Sequence, residues 1–115
     1  MSNITLGIIG SGQLGSMLCQ AAKKLKIKTV VISDDEQGPA QNYANQFIFA
    51  KYDDQQKIKE FIDNVDVVTF EFENIPIDIL KQIELQGLDS ITPFNNGKLA
   101  LPRYQDVLAV LNRLR

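Results

Sequence analysis

Short apolar runs alternate along this chain with longer stretches in which apolar positions recur every three or four residues. That alternation predicts strands joined by helices. Residues 4–9 (ITLGII) form the first expected strand, and residues 13–25 a helix with Leu14, Met17, Leu18, Ala21, Ala22 and Leu25 at helical spacing. Residues 28–33 (KTVVIS) are continuous and β-branched, as a strand covered on both faces should be. The run Asp34-Asp35-Glu36-Gln37-Gly38-Pro39 is turn chemistry, and residues 40–45 read as one short helical turn. A third strand is expected at 46–50 (QFIFA). Asp53 or Asp54 then caps a helix reaching Asn64, which buries Ile58, Phe61, Ile62 and Val65. Residues 65–70 (VDVVTF) are a fourth strand. Pro76 opens a helix through Gln86 that turns Ile79, Leu80 and Ile83 inward, and Gly87 stops it. A fifth strand spans 88–92, ending at Pro93. The last stretch, 97–115, is expected to be at least partly helical, with Pro102 interrupting it.

Five strands with helical connections of this length give an α/β fold: a doubly wound, mostly parallel, five-stranded Rossmann-like sheet with right-handed crossovers. The 115 residues are expected to make a single domain. In such sheets ligands sit beyond the carboxyl ends of the strands, where strand order reverses. The stretch from Gly10 to Gly15 follows the first strand, and Glu71 to Asn74 follows the fourth. These strands are neighbours in the usual order, so the two stretches are expected to face one another across a crevice.

Composition narrows the chemistry. With 44% hydrophobic and 23% charged residues the chain is globular, not disordered. A net charge of −2 leaves no basic footprint for nucleic acid. Lys23, Lys24, Lys26 and Lys28 fall where a helix ends, and there they complement its dipole. A single cysteine, Cys19, excludes an internal disulfide, and it sits on the apolar face of the first helix as a buried small hydrophobe. Histidine is absent, which removes Ser-His catalysis and zinc-histidine sites from this chain. No apolar run approaches the ~18 residues of a membrane span, and the first residues are expected to lead into a strand without a signal peptide. A cytoplasmic protein with neither a membrane nor a nucleic-acid partner is expected.

Gly10, Gly12 and Gly15 spell G-x-G-x-x-G. The pattern gives a tight turn, close backbone approach and close helix packing, with first-turn amides that favour an anion. A dinucleotide would also need an acid at the end of the second strand, and Asp34 lies about twenty residues on, where that acid belongs. Gln13, however, projects a side-chain amide at the helix start. FEFEN closes the fourth strand with Phe70 and Phe72 on one face and Glu71 and Glu73 on the other. Glu73 and Gln13 would suit a sugar or an amine, whereas the structural alternative makes Glu71 a helix cap and Glu73 a solvated side chain.

The sequence GIIGSGQLGSML, then Tyr52-Asp53-Asp54, then DVVTFEFENIP, in that order and spacing, resembles the N-terminal, pre-ATP-grasp domain of 5-(carboxyamino)imidazole ribonucleotide synthases of the ATP-grasp superfamily. The resemblance covers about residues 1–93, and 94–115 diverge. It implies a ligase of purine biosynthesis that carboxylates the exocyclic amine of aminoimidazole ribonucleotide with bicarbonate and ATP, through carboxyphosphate. It implies that the glycine turn lines the ribonucleotide pocket instead of holding a dinucleotide. By similarity to a related ribonucleotide transformylase, Gln13, Leu14 and Glu73 contact the nucleotide, with Gly12 and Asn74 as neighbours. Asp34 is then a turn residue.

The same resemblance places the ATP-grasp and C-terminal domains outside these residues, with most contacts to ATP and Mg²⁺. No catalytic residue, cofactor ligand or metal ligand is expected in this chain, which alone should be catalytically silent, and the full-length enzyme is expected to be a homodimer. The family's QDRL-x-EK segment, whose arginine helps bind ATP, is met here by Gln105-Asp106-Val107-Leu108. That stretch lacks the arginine and the Glu-Lys pair, so no ATP role is assigned to it. Two other readings remain: an NAD(P)-binding Rossmann module of a reductase or of a ligand-sensing regulatory domain, resting on the glycine fingerprint and Asp34, and a domain serving assembly alone.

Overall fold

The computed structural model describes residues 4–70 and 77–85, together with two-residue strands at 89–90, 94–95 and 98–99. The elements run β1 (Thr5–Ile9), α1 (Gln13–Lys24), β2 (Lys28–Ser33), a 3-10 turn (Pro39–Asn42), β3 (Gln46–Phe49), α2 (Gln55–Asp63), β4 (Val67–Phe70), α3 (Ile77–Leu85), β5 (Asp89–Ser90), β6 (Phe94–Asn95) and β7 (Lys98–Leu99). The main sheet has the order β3-β2-β1-β4-β5, and every pair in it is parallel. This is the doubly wound α/β arrangement that the apolar pattern predicts.

Strand alternation sends side chains to two separate cores. Leu6 and Ile8 of β1, Val31 of β2 and Val67 of β4 join Leu18, Cys19 and Ala22 of α1 and Ala40 of the 3-10 turn on one face. Ile9, Val30, Ile32, Val68 and Phe70 face the other way. There they meet Ile58, Phe61 and Ile62 of α2 and Ile79 and Ile83 of α3. The neighbours in β1, Ile8 and Ile9, thus belong to different cores, as a strand covered on both faces requires.

The helices form for local reasons. Asp54 is the N-cap of α2, its carboxylate accepting from the Lys57 amide at 3.2 Å. Ile58, Phe61 and Ile62 then fall on one stripe and are all buried. The end of α1 is closed by the paired bonds of a Schellman turn. The Lys26 amide donates to the Lys23 carbonyl at 3.1 Å, and the Ile27 amide to the Ala22 carbonyl at 2.8 Å. Lys23 and Lys24 occupy the last turn of α1, the dipole-complementing place expected for them.

Several boundaries differ from expectation. Met17, which shares the apolar spacing of α1, is exposed (41%). The buried face of α1 carries Leu18 and the small residues Gly15, Ser16, Cys19, Ala21 and Ala22, which let the helix approach the sheet. Met17, two positions from Cys19, is turned to the other side. The fourth strand begins at Val67, not Val65. Asp66 precedes it with a mixed pairing in which its amide donates to the Thr5 carbonyl at 2.9 Å and its carboxylate accepts from the Thr5 amide at 2.7 Å. The third strand stops at Phe49, although the Ala50 amide still donates to the Ser33 carbonyl at 3.0 Å. Lys98–Leu99 pairs antiparallel with Phe94–Asn95, a short strand at the start of the stretch expected to be at least partly helical. Pro76, Gln86, Gly87, the ends of the expected fifth strand and residues 100–115 lie outside the described residues.

Candidate functional site

The glycine turn leaves β1 at Gly10, whose φ of 114° is a conformation that L side chains rarely adopt. Its amide donates to the Ile32 carbonyl of β2 at 2.9 Å, so the turn starts still tied to the sheet. Gly12 is the N-cap of α1 in extended conformation, and its carbonyl accepts the first helical bond from the Ser16 amide at 3.0 Å. A glycine supplies no side-chain cap, and the first turn of α1 holds no acidic residue. The helix therefore presents its positive end without an internal counter-charge, the electrostatic condition for an anionic ligand.

The structure brings Gly12, Gln13 and Leu14 together at that helix end. Gln13 is exposed and Gly12 partly so, while Leu14 packs its side chain against the α1-side core. In the sheet order, β1 lies between β2, which precedes it on one side, and β4 on the other, so chain direction across the sheet reverses between β1 and β4. Ile9 and Phe70, the last residues of those strands, are register partners. Both strands thus finish level at the switch point. Glu73 and Asn74 lie outside the described residues, as do Glu71 and Phe72.

On its other side the glycine turn is held by residues that the sequence pattern did not mark. Ser11 is buried, and its hydroxyl donates to Ser33 Oγ at 2.8 Å, with the Asp35 carbonyl a second acceptor at 3.3 Å. Ser33 Oγ also accepts from the Asp35 amide at 3.1 Å. The Ser11 carbonyl accepts from the Ala40 amide at 3.0 Å, and Gly38 packs directly on Ser11. Asp34 is exposed in the same connection. The signal in the sequence was slight: a small polar residue between two glycines, and a Gly-Pro pair read only as a turn.

Among the described residues no group of three or more His, Cys, Asp or Glu side chains is placed to hold a metal ion. No helix among them is long and apolar enough to cross a membrane.

A doubly wound domain with a glycine turn at its switch point belongs to the class of folds that bind nucleotides and sugar phosphates. Comparison with known proteins narrows that class. The family model of the ribonucleotide synthetase preATP-grasp domain matches residues 3–100, and the chain belongs to this family. It is 48% identical over 79 residues to the N5-carboxyaminoimidazole ribonucleotide synthase of Staphylococcus epidermidis, covering 69% of this chain and 21% of that protein. It is 32% identical over 108 residues to the chloroplastic phosphoribosylaminoimidazole carboxylase of Vigna aconitifolia, covering 94% of this chain and 19% of the relative. Among solved structures it resembles the N5-carboxyaminoimidazole synthetase of Staphylococcus aureus complexed with ADP. That match has a TM-score of 0.71 at 40% identity and covers 79% of this chain and 24% of the other. The chain thus spans about a fifth of the length of the curated relatives it matches.

Proposed function

We propose that this chain is the ribonucleotide-binding, N-terminal domain of an N5-carboxyaminoimidazole ribonucleotide synthase. The observation that carries the reading is the positive end of α1, with no side-chain cap and no acid in its first turn, at the β1/β4 switch point of a chain in this family. There the loop and first-turn amides face the phosphate of aminoimidazole ribonucleotide, and Gly12, Gln13 and Leu14 line one rim. Glu73 and Asn74, three and four residues beyond the end of β4, supply the opposite rim. Glu73 accepts from ribose hydroxyls or from the reacting amine. The amine is carboxylated with bicarbonate at the expense of ATP, and ATP and Mg²⁺ are held mainly by residues outside this chain. The 115 residues form one domain of this enzyme, orient the substrate and do no chemistry alone. A homodimeric, cytoplasmic enzyme completes the reading.

The test is kinetic. In the enzyme that carries this domain, Gln13→Ala and Glu73→Ala should each raise KM for the ribonucleotide about tenfold or more, leaving KM for ATP within about twofold. Equal KM values for wild type and both variants would remove the two rims from the site. Saturable NADH binding that is lost in Asp34→Ala and retained in Glu73→Ala would replace the ligase reading with the nicotinamide one.

A further inference from the structure

In a doubly wound fold that binds a dinucleotide, the pyrophosphate lies on the glycine turn and the adjoining ribose reaches the acid at the end of β2. The space between turn and strand end must then be open. Here the protein's own chain packs on the turn from the β2 side. After β2 the backbone folds back over the turn, and Gly38 comes so close to Ser11 that a Cβ at Gly38 would overlap the Ser11 hydroxyl and carbonyl and lie 2.6 Å from Ser11 Cβ. The backbone of Gly38 is ordinary (φ −65°, ψ 143°), so closeness, not conformation, demands glycine there. Pro39 then starts the 3-10 turn, and Ala40 is fully buried with its amide on the Ser11 carbonyl. Ser33 and the Asp35 carbonyl engage the Ser11 hydroxyl from the same side.

We propose that residues 38–40 act as a clamp on Ser11 that closes the second-nucleoside place of the crevice and fixes the glycine turn for a single phosphate. Ser11 and Gly38 are positioning residues, and the clamp selects a mononucleotide over a dinucleotide. Its value for binding is preorganisation: the turn is held through both the hydroxyl and the carbonyl of Ser11 before any ligand arrives, so ligand binding need not order it. The selectivity rests on the ribonucleotide reading above. The clamp itself does not, because it is a property of the ligand-free chain.

The experiment compares wild type with Gly38→Ala, Ser11→Ala and, as a stability control on the opposite core, Ile58→Val. Hydrogen–deuterium exchange on the ligand-free protein should show amides of residues 10–14 exchanging about tenfold faster in the first two variants and unchanged in the control. In ribonucleotide-dependent ATP hydrolysis by the enzyme that carries this domain, Gly38→Ala should raise the ribonucleotide KM about tenfold while KM for ATP stays within about twofold. Wild type should show no saturable NADH binding. Unchanged exchange in both clamp variants, equal acceleration in Ile58→Val, or NADH saturation of wild type would each overturn the proposal. An enzyme that carries this domain with its remaining domains and yet shows no ribonucleotide-dependent turnover would instead remove the ligase reading, with the exchange result still deciding the clamp.

Discussion

Lys26 holds a left-handed backbone conformation, φ 61°, at the position just past the end of α1 where most helices of this type place glycine. A side chain with a Cβ pays roughly 1–2 kcal/mol to sit there. The two Schellman bonds around it and the buried Ile27 that follows hold the conformation in place. Lys26→Gly should therefore stabilise the domain by about 1 kcal/mol, less a part returned to the more flexible unfolded chain. The corresponding rise in Tm is several degrees, about 4–8 °C per kcal/mol for a domain near this size. Lys26→Ala should give no such gain, since alanine meets the same steric cost. A thermal melt in which alanine stabilises as much as glycine would show that helix propensity, not backbone conformation, is at work. This residue also marks a limit of reading at the same scale. A helix ending near Leu25 was legible from periodicity, but no glycine announces the turn. Likewise Ser11 and Gly38 carry no pattern, because their relation exists only once residues 27 positions apart in the chain touch.

At the scale of elements, the sequence is most informative where local chemistry and apolar spacing agree. β2 carries the expected bounds because a β-branched run is flanked by lysine and by a polar turn. α2 is legible because a capping aspartate precedes an apolar stripe at positions 58, 61 and 62. Asp54→Ala removes that cap and should cost about 1 kcal/mol, within a usual range of roughly 0.5–2 kcal/mol, whereas Asp54→Asn should cost only a few tenths. Urea unfolding of the two variants checks the difference, and equal losses would assign the effect to charge instead of capping. Spacing alone does not decide burial on α1: Met17 shares the apolar spacing yet is exposed, while Leu18 and the small residues Gly15, Ser16, Cys19, Ala21 and Ala22 are buried. The antiparallel pair β6 and β7 was not anticipated, β7 falling in a stretch expected to be at least partly helical. Of the candidate site, the glycine turn and its helix end at Gly12 were legible from spacing, whereas the roles proposed for Gln13, Leu14, Glu73 and Asn74 rest on resemblance.

The described residues form two cores on the faces of the five-stranded sheet, and that sharing makes a quantitative demand. Leu18 belongs to the α1-side core and Ile58 to the α2-side core, and the two clusters have no residue in common. Both side chains are essentially fully buried. Each should cost about 2–5 kcal/mol when cut to alanine, through lost burial and the cavity left behind. Since the two sites share no partner, their costs should add to within roughly 0.5 kcal/mol. Yet both cores rest on the same β1 and β2, with Ile8 facing one and Ile9 the other. Neither core can melt while its half of each strand stays fixed. The two losses should consequently appear as shifts of one transition, with the urea m-value preserved, and not as two separable steps. Milder truncations, Leu18→Val and Ile58→Val, keep the measurement possible should either alanine variant unfold outright. Two transitions, one moved only by each substitution, would mean that the faces of the sheet fold independently and that the central strands do not couple them.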